Sequence, residues 1–287
     1  MNIAIIGSGK IGLDLYHKAI KEKFINNIFL FNRNRKSYGY NYAKKNGFNI
    51  SSDGVLGLIK IIKNVDVILD ATSSSSNIIN FKKLKPFFNS RFFINLTPSG
   101  LGETFVPYSN IEKIPNIINL ISCGGQSSIP LINAIKNSIG YKLKYVELVS
   151  SISSVSAGKA TRMNINEYIT NTSKAIEKLC GVKSKVMINL NPTNPPVNMM
   201  NTLFFETKNL KSKDITLIKK SIINVNKIIK KYIPQYNAKY FESFDDNIFR
   251  VTIRVVGQGD YLPEFSGNLD IINSSSMHIL RLINEKK

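Results

Sequence analysis

The first half of the chain alternates short apolar, β-branched runs with segments whose apolar residues recur at helical spacing. The apolar runs predict buried strands at 2–6, 27–31, 66–69, 92–96 and 117–121. The helical spacing predicts helices at 10–21 and 37–46, the second ending before Gly47. This alternation is typical of a parallel sheet covered by helices, so we predict an α/β fold with a doubly wound, Rossmann-type parallel sheet.

The pattern changes after about residue 125. Helices are predicted at 129–139, 167–179, 215–233 and 269–283, and strands at 145–155, 185–190 and 249–256. In the helix at 215–233 the branched apolar residues share one face, so its lysines are predicted to form a solvated face rather than a ligand site. This mixed order of elements predicts a second, α+β domain.

Composition narrows the class of protein. The chain has 287 residues, and at about 150 residues per domain this length predicts two domains. Its 39 Lys and Arg against 19 Asp and Glu give a net charge of +20, which would suit a nucleic acid or an anionic membrane. The lysines are spread singly or in pairs, however, and no recognition motif accompanies them. We therefore attribute the charge to compositional bias and expect neither a nucleic acid nor a membrane partner.

Targeting and metal signals are also missing from the sequence. No apolar run approaches the roughly 18 to 20 residues that span a bilayer, and the amino terminus lacks the pattern of a cleavable signal. Two cysteines and two histidines offer neither a disulfide framework nor a spaced cluster of metal ligands. We expect a reduced, cytoplasmic protein without a metal site.

The segment from Gly7 to Gly12, GSGKIG, fits G-x-G-x-x-G directly after a predicted strand and at the start of a predicted helix. Such glycines permit a tight turn and let the backbone approach a pyrophosphate, which the positive end of the helix attracts. The alternative is a glycine-rich turn without a ligand. After the second strand, segment 32–36 (NRNRK) has two arginines and no acid for the ribose 2′-hydroxyl of NAD, so NADP is an alternative cofactor.

Cys123 stands in the segment SCGGQ, at the end of a predicted strand and before a helix predicted to start near Ser127. A helix N-terminus stabilises a thiolate, and the neighbouring backbone N–H groups suit a developing oxyanion. A nucleotide fold with such a cysteine indicates thiohemiacetal chemistry on an aldehyde, followed by hydride transfer to nicotinamide and release of a thioester. The alternative is a small buried apolar residue, which is our interpretation of Cys180.

The sequence resembles a known family over nearly its full length. This family is the acylating acetaldehyde dehydrogenases of the short two-domain type that pair with a 4-hydroxy-2-oxovalerate aldolase. The resemblance is carried by several motifs in order, namely IAIIGSGKIG (3–12), DATS (70–73), NLTP (95–98), SCGGQ (122–126), SAGKATRMN (156–164), TSKAIE (172–177), NPTNPP (191–196), YLP (261–263) and GNLDI (267–271).

The resemblance implies the reaction aldehyde + CoA + NAD+ to acyl-CoA + NADH, with acetaldehyde as the default substrate and Cys123 as nucleophile. It implies a nucleotide domain at 1–122 plus 268–287 and a catalytic, dimerising domain at 123–267. It also implies a homodimer or a heterotetramer with the aldolase, and a place in aromatic catabolism. The dinucleotide contacts that it implies are Ser8, Gly9, Lys10, Ile11, Ser156, Ala157, Gly158, Lys159, Ala160, Thr161, Arg162, Met163, Asn164 and Asn268.

The sequence departs from the family pattern at three places. Lys10 replaces an asparagine, Lys159-Ala160 replaces Pro-Gly, and Asn201 replaces an aspartate thought to act as general base. Loss of a general base costs roughly 10²- to 10⁴-fold in rate, which predicts a slower enzyme or a lost activity. The alternatives are therefore a catalytically impaired nucleotide-binding partner of an aldolase, and a cysteine-based reductase of another aldehyde or of an acyl phosphate.

Overall fold

The structure is a computed structural model that describes residues 1–109, 113–241 and 247–285. The last two residues of the predicted nucleotide domain, 286–287, lie outside this range. One sheet has seven parallel strands in the order β3-β2-β1-β4-β5-β7-β6. Its strands are β1 (Asn2–Ile6), β2 (Asn27–Phe31), β3 (Ile50–Ser51), β4 (Val67–Asp70), β5 (Phe92–Asn95), β6 (Glu103–Thr104) and β7 (Ile117–Asn119).

Four helices connect the first five of these strands: α1 (Lys10–Ala19), α2 (Tyr38–Lys45), α3 (Gly54–Lys60) and α4 (Ser74–Leu84). The predicted doubly wound parallel sheet is confirmed, and each predicted strand lies within two residues of its observed position. The sequence analysis missed α3, α4 and the two-residue edge strands β3 and β6. The N-terminal part of α4 is a serine run, which resembles a loop in the sequence, whereas Ser73 caps it by accepting a hydrogen bond from the Ser76 amide.

The strand order reverses at β1, which pairs with β2 on one side and β4 on the other. Ligands of doubly wound sheets bind at such a switch point, beyond the carboxyl ends of the strands. Three neighbouring strands end there in buried side chains that lie side by side, Asp70, Asn95 and Asn119. Asp70 accepts hydrogen bonds from Thr72 N at 3.0 Å, and Asn95 from Thr97 N at 2.8 Å. These bonds fix the turns after the strands and define this edge of the sheet.

A second sheet of five strands has the order β11-β12-β10-β8-β9, with β8 and β9 parallel and the other pairs antiparallel. The predicted α+β region is confirmed, although β10 and β11 were missed. The strands are β8 (Leu143–Ser153), β9 (Lys183–Asn191), β10 (Met199–Thr207), β11 (Tyr236–Phe241) and β12 (Ile248–Val255); the helices are α5 (Cys123–Ile139), α6 (Lys159–Met163), α7 (Ile165–Cys180) and α8 (Ser212–Ile229). Short 3-10 helices lie at Ile62–Asn64, Lys85–Ser90, Gly140–Lys142 and Glu264–Ser266.

Strand β10 shows how this sheet divides core from surface. Its residues alternate, with Leu203 and Phe205 buried on the face that packs against α5. Met200 and Phe204 point to the opposite face and are 43% and 38% exposed. The lysines of α8 are exposed while its apolar stripe is buried, so the prediction of a solvated lysine face is confirmed.

The last helix, α9 (Gly267–Glu285), packs on α1 and α5 and so joins the two sheet systems. Lys18 of α1 is nearly buried and pairs with Asp270 of α9 at 2.6 Å, with Asp260 of the preceding loop, and with Asp14 at 3.8 Å. Buried charges persist only when they are paired in this way. The return of the last helix to the region of β1 agrees with a discontinuous nucleotide domain, whose bounds stay a prediction.

Candidate active site

A cavity of about 560 Å³ lies at the switch point of the parallel sheet. The loop between β1 and α1 forms one wall with Gly7, Ser8, Gly9 and Lys10. Gly7 has a φ of +104°, and a Cβ on Gly12 would lie 1.8 Å from the Gly7 carbonyl oxygen. Only glycine allows this turn and this close contact of α1 with β1.

The geometry of the loop fits a dinucleotide. A Cβ added to Gly9 would meet no atom within 4 Å, so the space beside that backbone is open to a ligand. Helix α1 starts at Lys10 and has no acidic residue in its first turn, so its positive end and the Lys10 ammonium both favour an anion. A pyrophosphate would therefore be held by this loop.

The carboxyl end of β2 forms the opposite wall. Asn32 donates to the hydroxyls of Ser8 and Ser37 at 2.5 and 2.8 Å, and its Oδ1 accepts from the Arg33 amide at 2.7 Å. The amide therefore fixes the turn. The Arg33 side chain lies over Gly54, and its guanidinium donates to Ser76 Oγ at 3.0 Å across the cavity wall. The residues lining the cavity, all within the described range, include two cations and no carboxylate.

Cys123 is the first residue of α5, so the prediction that this helix starts near Ser127 is wrong. The helix begins four residues earlier because Ser122 caps it, accepting a hydrogen bond from the Gly125 amide at 3.0 Å. Just before the cap, Ile121 has a φ of +58°. A β-branched residue in this region is strained, and strain of this kind clusters at functional sites.

The Cys123 sulfur lies 3.9 Å from the hydroxyl of Tyr168, which donates to Ser150 Oγ at 3.0 Å. Gly124 makes room for this contact, because a Cβ there would lie 2.2 Å from the Tyr168 hydroxyl. The sequence analysis missed both Tyr168 and Ser150. Their positions on α7 and β8 carry no motif, and only the packing of three elements brings them to the sulfur.

Burial raises the pKa of the Cys123 thiol to about 11, while hydrogen bonds from Tyr168 and from the backbone amides of Gly124 and Cys123 lower it. The sulfur does lie at a helix N-terminus, as predicted. The loss of solvation outweighs these hydrogen bonds, so the pKa is raised overall, and stabilisation of the thiolate by the helix end stays a prediction. Cys180 is buried at the end of α7, which confirms its interpretation as an apolar core residue.

Asn201 is fully buried on β10, directly opposite Ser150 of β8. Its Nδ2 donates to Ser127 Oγ at 2.5 Å and to Ser128 Oγ at 2.9 Å, both on the first two turns of α5. Within the described residues, its Oδ1 has no partner. Asn201 thus supports the helix that carries Cys123.

The other predicted dinucleotide contacts are not brought to this cavity in the structure. Ile11 is half-buried against the core, while Ser156 and Ala157 are buried and Gly158 is exposed. Within the range that the structure describes, neither the segment 156–164 nor Asn268 lines the cavity. The remaining members of that segment are Lys159 and Ala160, whose side chains lie outside the described residues, and Thr161, Arg162, Met163 and Asn164.

Asn268 and Arg162, two of the predicted dinucleotide contacts, have polar groups whose surroundings bear on that prediction. Asn268 is 3% exposed, and its Oδ1 lacks a hydrogen-bond partner among the described residues, so this oxygen can accept a hydrogen bond from a ligand. The Arg162 guanidinium donates a hydrogen bond to Ser154 Oγ at 2.7 Å, next to the turn that leads into α6. Across the described part of the chain, no group of three or more His, Cys, Asp or Glu is placed to hold a metal, and no helix is long and apolar enough to cross a membrane.

Comparisons with known proteins define the class first. Residues 1–98 match the family described as shikimate / quinate 5-dehydrogenase. The fold is that of aspartate semialdehyde dehydrogenase II from Vibrio cholerae, solved in complex with ASA, with a TM-score of 0.68 and 12% identity over 99% of this chain and 98% of that one. Together with the glycine-rich cavity, these likenesses define a Rossmann-type α/β fold with a second α+β domain.

The sequence relatives then identify the family. An acetaldehyde dehydrogenase from Pectobacterium atrosepticum is 35% identical over 99% of this chain and 95% of its own length. An acetaldehyde dehydrogenase from Geobacillus stearothermophilus is 36% identical over 97% of this chain and 94% of its own length. Residues 123–263 match the family described as prokaryotic acetaldehyde dehydrogenase, dimerisation. The chain belongs to the acetaldehyde dehydrogenase family and is a nicotinamide-dependent oxidoreductase.

Proposed function

We propose that the protein is a CoA-acylating aldehyde dehydrogenase, converting acetaldehyde, CoA and NAD+ into acetyl-CoA, NADH and a proton. The observation that carries the proposal is the position of Cys123. A partly exposed thiol stands at the first residue of a helix, after a strained turn, in a chain that belongs to this family. A buried structural cysteine such as Cys180 has none of these features.

The steps follow from the groups around the sulfur. The Cys123 sulfur adds to the aldehyde carbon, and the backbone N–H groups of Cys123 and Gly124, which bond the sulfur in the free protein, are the proposed donors to the developing oxyanion. The nicotinamide cofactor, when bound, supplies the acceptor for the hydride. The acyl group then stays on Cys123 as a thioester until the sulfur of CoA attacks it and releases the Cys123 thiolate. The loop at Gly7 to Gly12 holds the pyrophosphate. Asn268 is a candidate partner for a hydrogen-bond donor of the cofactor, such as a ribose hydroxyl, because its Oδ1 is an acceptor without a partner among the described residues.

Asn201 limits the rate in this proposal. An amide does not take up the thiol proton, so the base is water or substrate-derived, and the enzyme is slow relative to a chain with a carboxylate there. The competing function is an aldolase partner that binds the nucleotide without catalysis. A third function, reduction of an acyl phosphate or of another aldehyde, uses the same sulfur and cavity.

One assay separates these functions. The full chain is mixed with acetaldehyde, CoA and NAD+ or NADP+, and the absorbance of the reduced cofactor is followed. We expect a CoA-dependent signal that Cys123→Ala abolishes and that the matched variant Cys180→Ala retains. A signal equal in the wild type and Cys123→Ala would contradict the proposal, and a signal with an acyl phosphate and reduced cofactor alone would favour the third function. A higher rate for Asn201→Asp would support the loss of a base.

We propose NAD as the cofactor from the family resemblance, with NADP as the second candidate because of Arg33. Its guanidinium lies on the cavity wall where a 2′-phosphate would stand, and the neighbouring Asn32 is not an acid. The kcat/KM ratio for NAD+ and NADP+ tests this. If Arg33 binds a 2′-phosphate, Arg33→Ala lowers kcat/KM for NADP+ and leaves kcat/KM for NAD+ unchanged. Arg35→Ala is the control, because the Arg35 side chain donates a hydrogen bond to Ser52 and does not line the cavity.

We propose a homodimer in which a second copy covers the outer face of the five-stranded sheet. The matching family is described by its dimerisation, and Met200 and Phe204 expose apolar surface on this face. Phe204→Lys should yield a monomer by light scattering, and Ile223→Lys, on the exposed side of α8, should not. The 4-hydroxy-2-oxovalerate aldolase, with its role in aromatic catabolism, is the proposed further partner; co-elution with such an aldolase tests it.

A further inference from the structure

We propose that Tyr168 is a positioning residue for the nucleophile, with a hydroxyl that donates a hydrogen bond to the Cys123 thiolate and is itself held by Ser150. The proposal rests on the proposed function only in taking Cys123 as the nucleophile. It assigns to a residue without any motif the task of holding the charged sulfur at the start of α5.

The geometry of three elements supports this role. The Tyr168 hydroxyl stands 3.9 Å from the Cys123 sulfur and 3.0 Å from Ser150 Oγ, and the Tyr168 side chain is 8% exposed. An alanine-sized side chain at position 124 would put its Cβ 2.2 Å from the hydroxyl and 2.7 Å from Ser150 Oγ. The absence of a side chain at Gly124 is therefore what admits the hydroxyl to the sulfur.

Helix α7 is also fixed against the first turn of α5. Thr172 lies one helical turn after Tyr168, on the same face, and its hydroxyl donates to the Tyr168 carbonyl oxygen at 2.6 Å. The same Thr172 oxygen lies 2.6 Å from the hydroxyl of Ser122, the residue that caps α5. Thr172 thus contacts the cap, and Tyr168, one turn earlier on the same helix, contacts the sulfur. These two contacts fix the Tyr168 hydroxyl relative to the Cys123 sulfur.

The electrostatics explain why the sulfur needs such a donor. Burial raises the pKa of Cys123, and within the described residues the groups that lower it are Tyr168 and two backbone amides, none of which carries a positive charge. The pKa of Tyr168 is itself raised well above its usual range by burial and by the sulfur, so the hydroxyl keeps its proton while the thiol loses one. A hydrogen bond to an anion is about twice as strong as a neutral one.

The hydroxyl groups reorient when the charge appears. With a neutral thiol, the S–H donates to Tyr168 and Tyr168 donates to Ser150. When the thiol proton leaves to water, the Tyr168 hydroxyl turns to donate to the sulfur, and the Ser150 hydroxyl turns to donate to Tyr168. Each hydroxyl has one proton and can accept as well as donate, so the chain of bonds is complete in both states.

The test measures thiolate formation directly, without aldehyde, CoA or cofactor. The full chain with Cys180→Ala carries Cys123 as its one thiol, and the rate of alkylation by iodoacetamide is recorded against pH. We expect Tyr168→Phe to lower the alkylation rate at pH 8 by about tenfold, a loss of about 1.4 kcal/mol, and to shift the midpoint of the pH profile upward. The control is Tyr232→Phe, whose buried hydroxyl has no partner among the described residues and whose loss leaves the profile unchanged.

Ser150→Ala provides a second, milder variant that keeps the tyrosine. We expect a smaller fall in the alkylation rate, about threefold, because the hydroxyl that holds Tyr168 is lost. An unchanged or faster alkylation in both variants would overturn the proposal, whether or not the chain oxidises an aldehyde. A missing CoA-dependent activity in the wild type, with the expected alkylation profile, would instead contradict the proposed function and leave the role of Tyr168 supported.

Discussion

The dinucleotide cavity and the cysteine site are built in opposite ways. The wall of the cavity that suits a pyrophosphate is the backbone of one continuous segment, Gly7 to Lys10, at the end of β1. The cysteine site gathers side chains from separate elements, with Cys123 on α5, Tyr168 on α7, and Ser150 and Asn201 on adjacent strands. The glycine-rich loop depends on glycines, which have no side chain, whereas the cysteine site depends on contacts between side chains of different elements.

This difference explains where each site tolerates change. A phosphate-binding loop uses amides and a helix end, which every sequence with the right glycines supplies. A half-buried thiol such as that of Cys123 depends on partners whose distances are set by the packing of two helices on a sheet. Four experiments test this contrast, in order of decreasing expected effect.

Gly12→Ala should cause the largest loss. Its Cβ would stand 1.8 Å from the backbone oxygen of Gly7, which no rotation relieves, so α1 must move from β1. We expect the free energy of unfolding in denaturant to fall by about 3 kcal/mol or more. Gly9→Ala is the matched control because its Cβ meets no atom within 4 Å; it should keep its stability and weaken only the binding of the dinucleotide. Equal losses of stability in both variants would contradict the role given to Gly12.

Acid should destabilise the packing of α9, the helix that contacts α1 of the nucleotide region and α5 of the cysteine site. His278 of α9 packs against the rings of Tyr108 and Tyr232, and burial lowers its pKa to about 4, with Arg281 and Lys231 acting in the same direction. The unfolded chain takes up a proton near pH 6.5 and the folded chain does not, so stability falls as the pH drops from 6.5 to 4. The expected loss is about 3 kcal/mol.

The variant His278→Phe isolates this effect. It keeps the aromatic stack and removes the titrating group, so its unfolding free energy should depend less on pH than that of the wild type between pH 7 and 4. Parallel pH curves for the two proteins would show that His278 does not carry the acid sensitivity.

Gly124→Ala should disturb the cysteine site more than the fold. The Cβ would stand 2.2 Å from the Tyr168 hydroxyl, which is the end of a side chain and can retreat at a cost of about 1 to 2 kcal/mol. Thermal unfolding should show this modest loss, and alkylation of Cys123 should slow as Tyr168 moves away. Gly158→Ala, where a Cβ meets no atom within 4 Å, should change neither measurement. A faster alkylation in Gly124→Ala would count against the contact as a stabilising one.

Asn32→Asp should have the smallest effect. An acid at the end of β2 accepts a bond from a ribose 2′-hydroxyl and repels a 2′-phosphate. We expect the ratio of the dissociation constants for NAD+ and NADP+ to shift towards NAD+ by about tenfold, or about 1.4 kcal/mol, in a fluorescence titration. The turn is kept because the carboxylate still accepts from the Arg33 amide. An unchanged ratio would mean that the 2′ position of the ribose lies away from Asn32.

Local pattern predicted the five longer strands and the first two helices of the nucleotide region, since β-branched runs and glycines act within a few residues. The start of α5 was misplaced because Cys-Gly-Gly is a poor helix sequence, whereas the Ser122 cap and the contact with Thr172 hold it helical. Strand β10 was missed because its buried face includes polar Asn201, whose partners Ser127 and Ser128 lie far away in the sequence.

The sequence by itself determined the fold class and the glycine-rich turn, and it predicted Cys123 as the reactive cysteine, because each is encoded by neighbouring residues or by a motif. Only the tertiary structure decided the state of that cysteine. Its raised pKa and its contact with Tyr168 arise from burial between elements that are 45 residues apart along the chain. Solvation depends on what surrounds a group in space, and no local spacing along the chain encodes it.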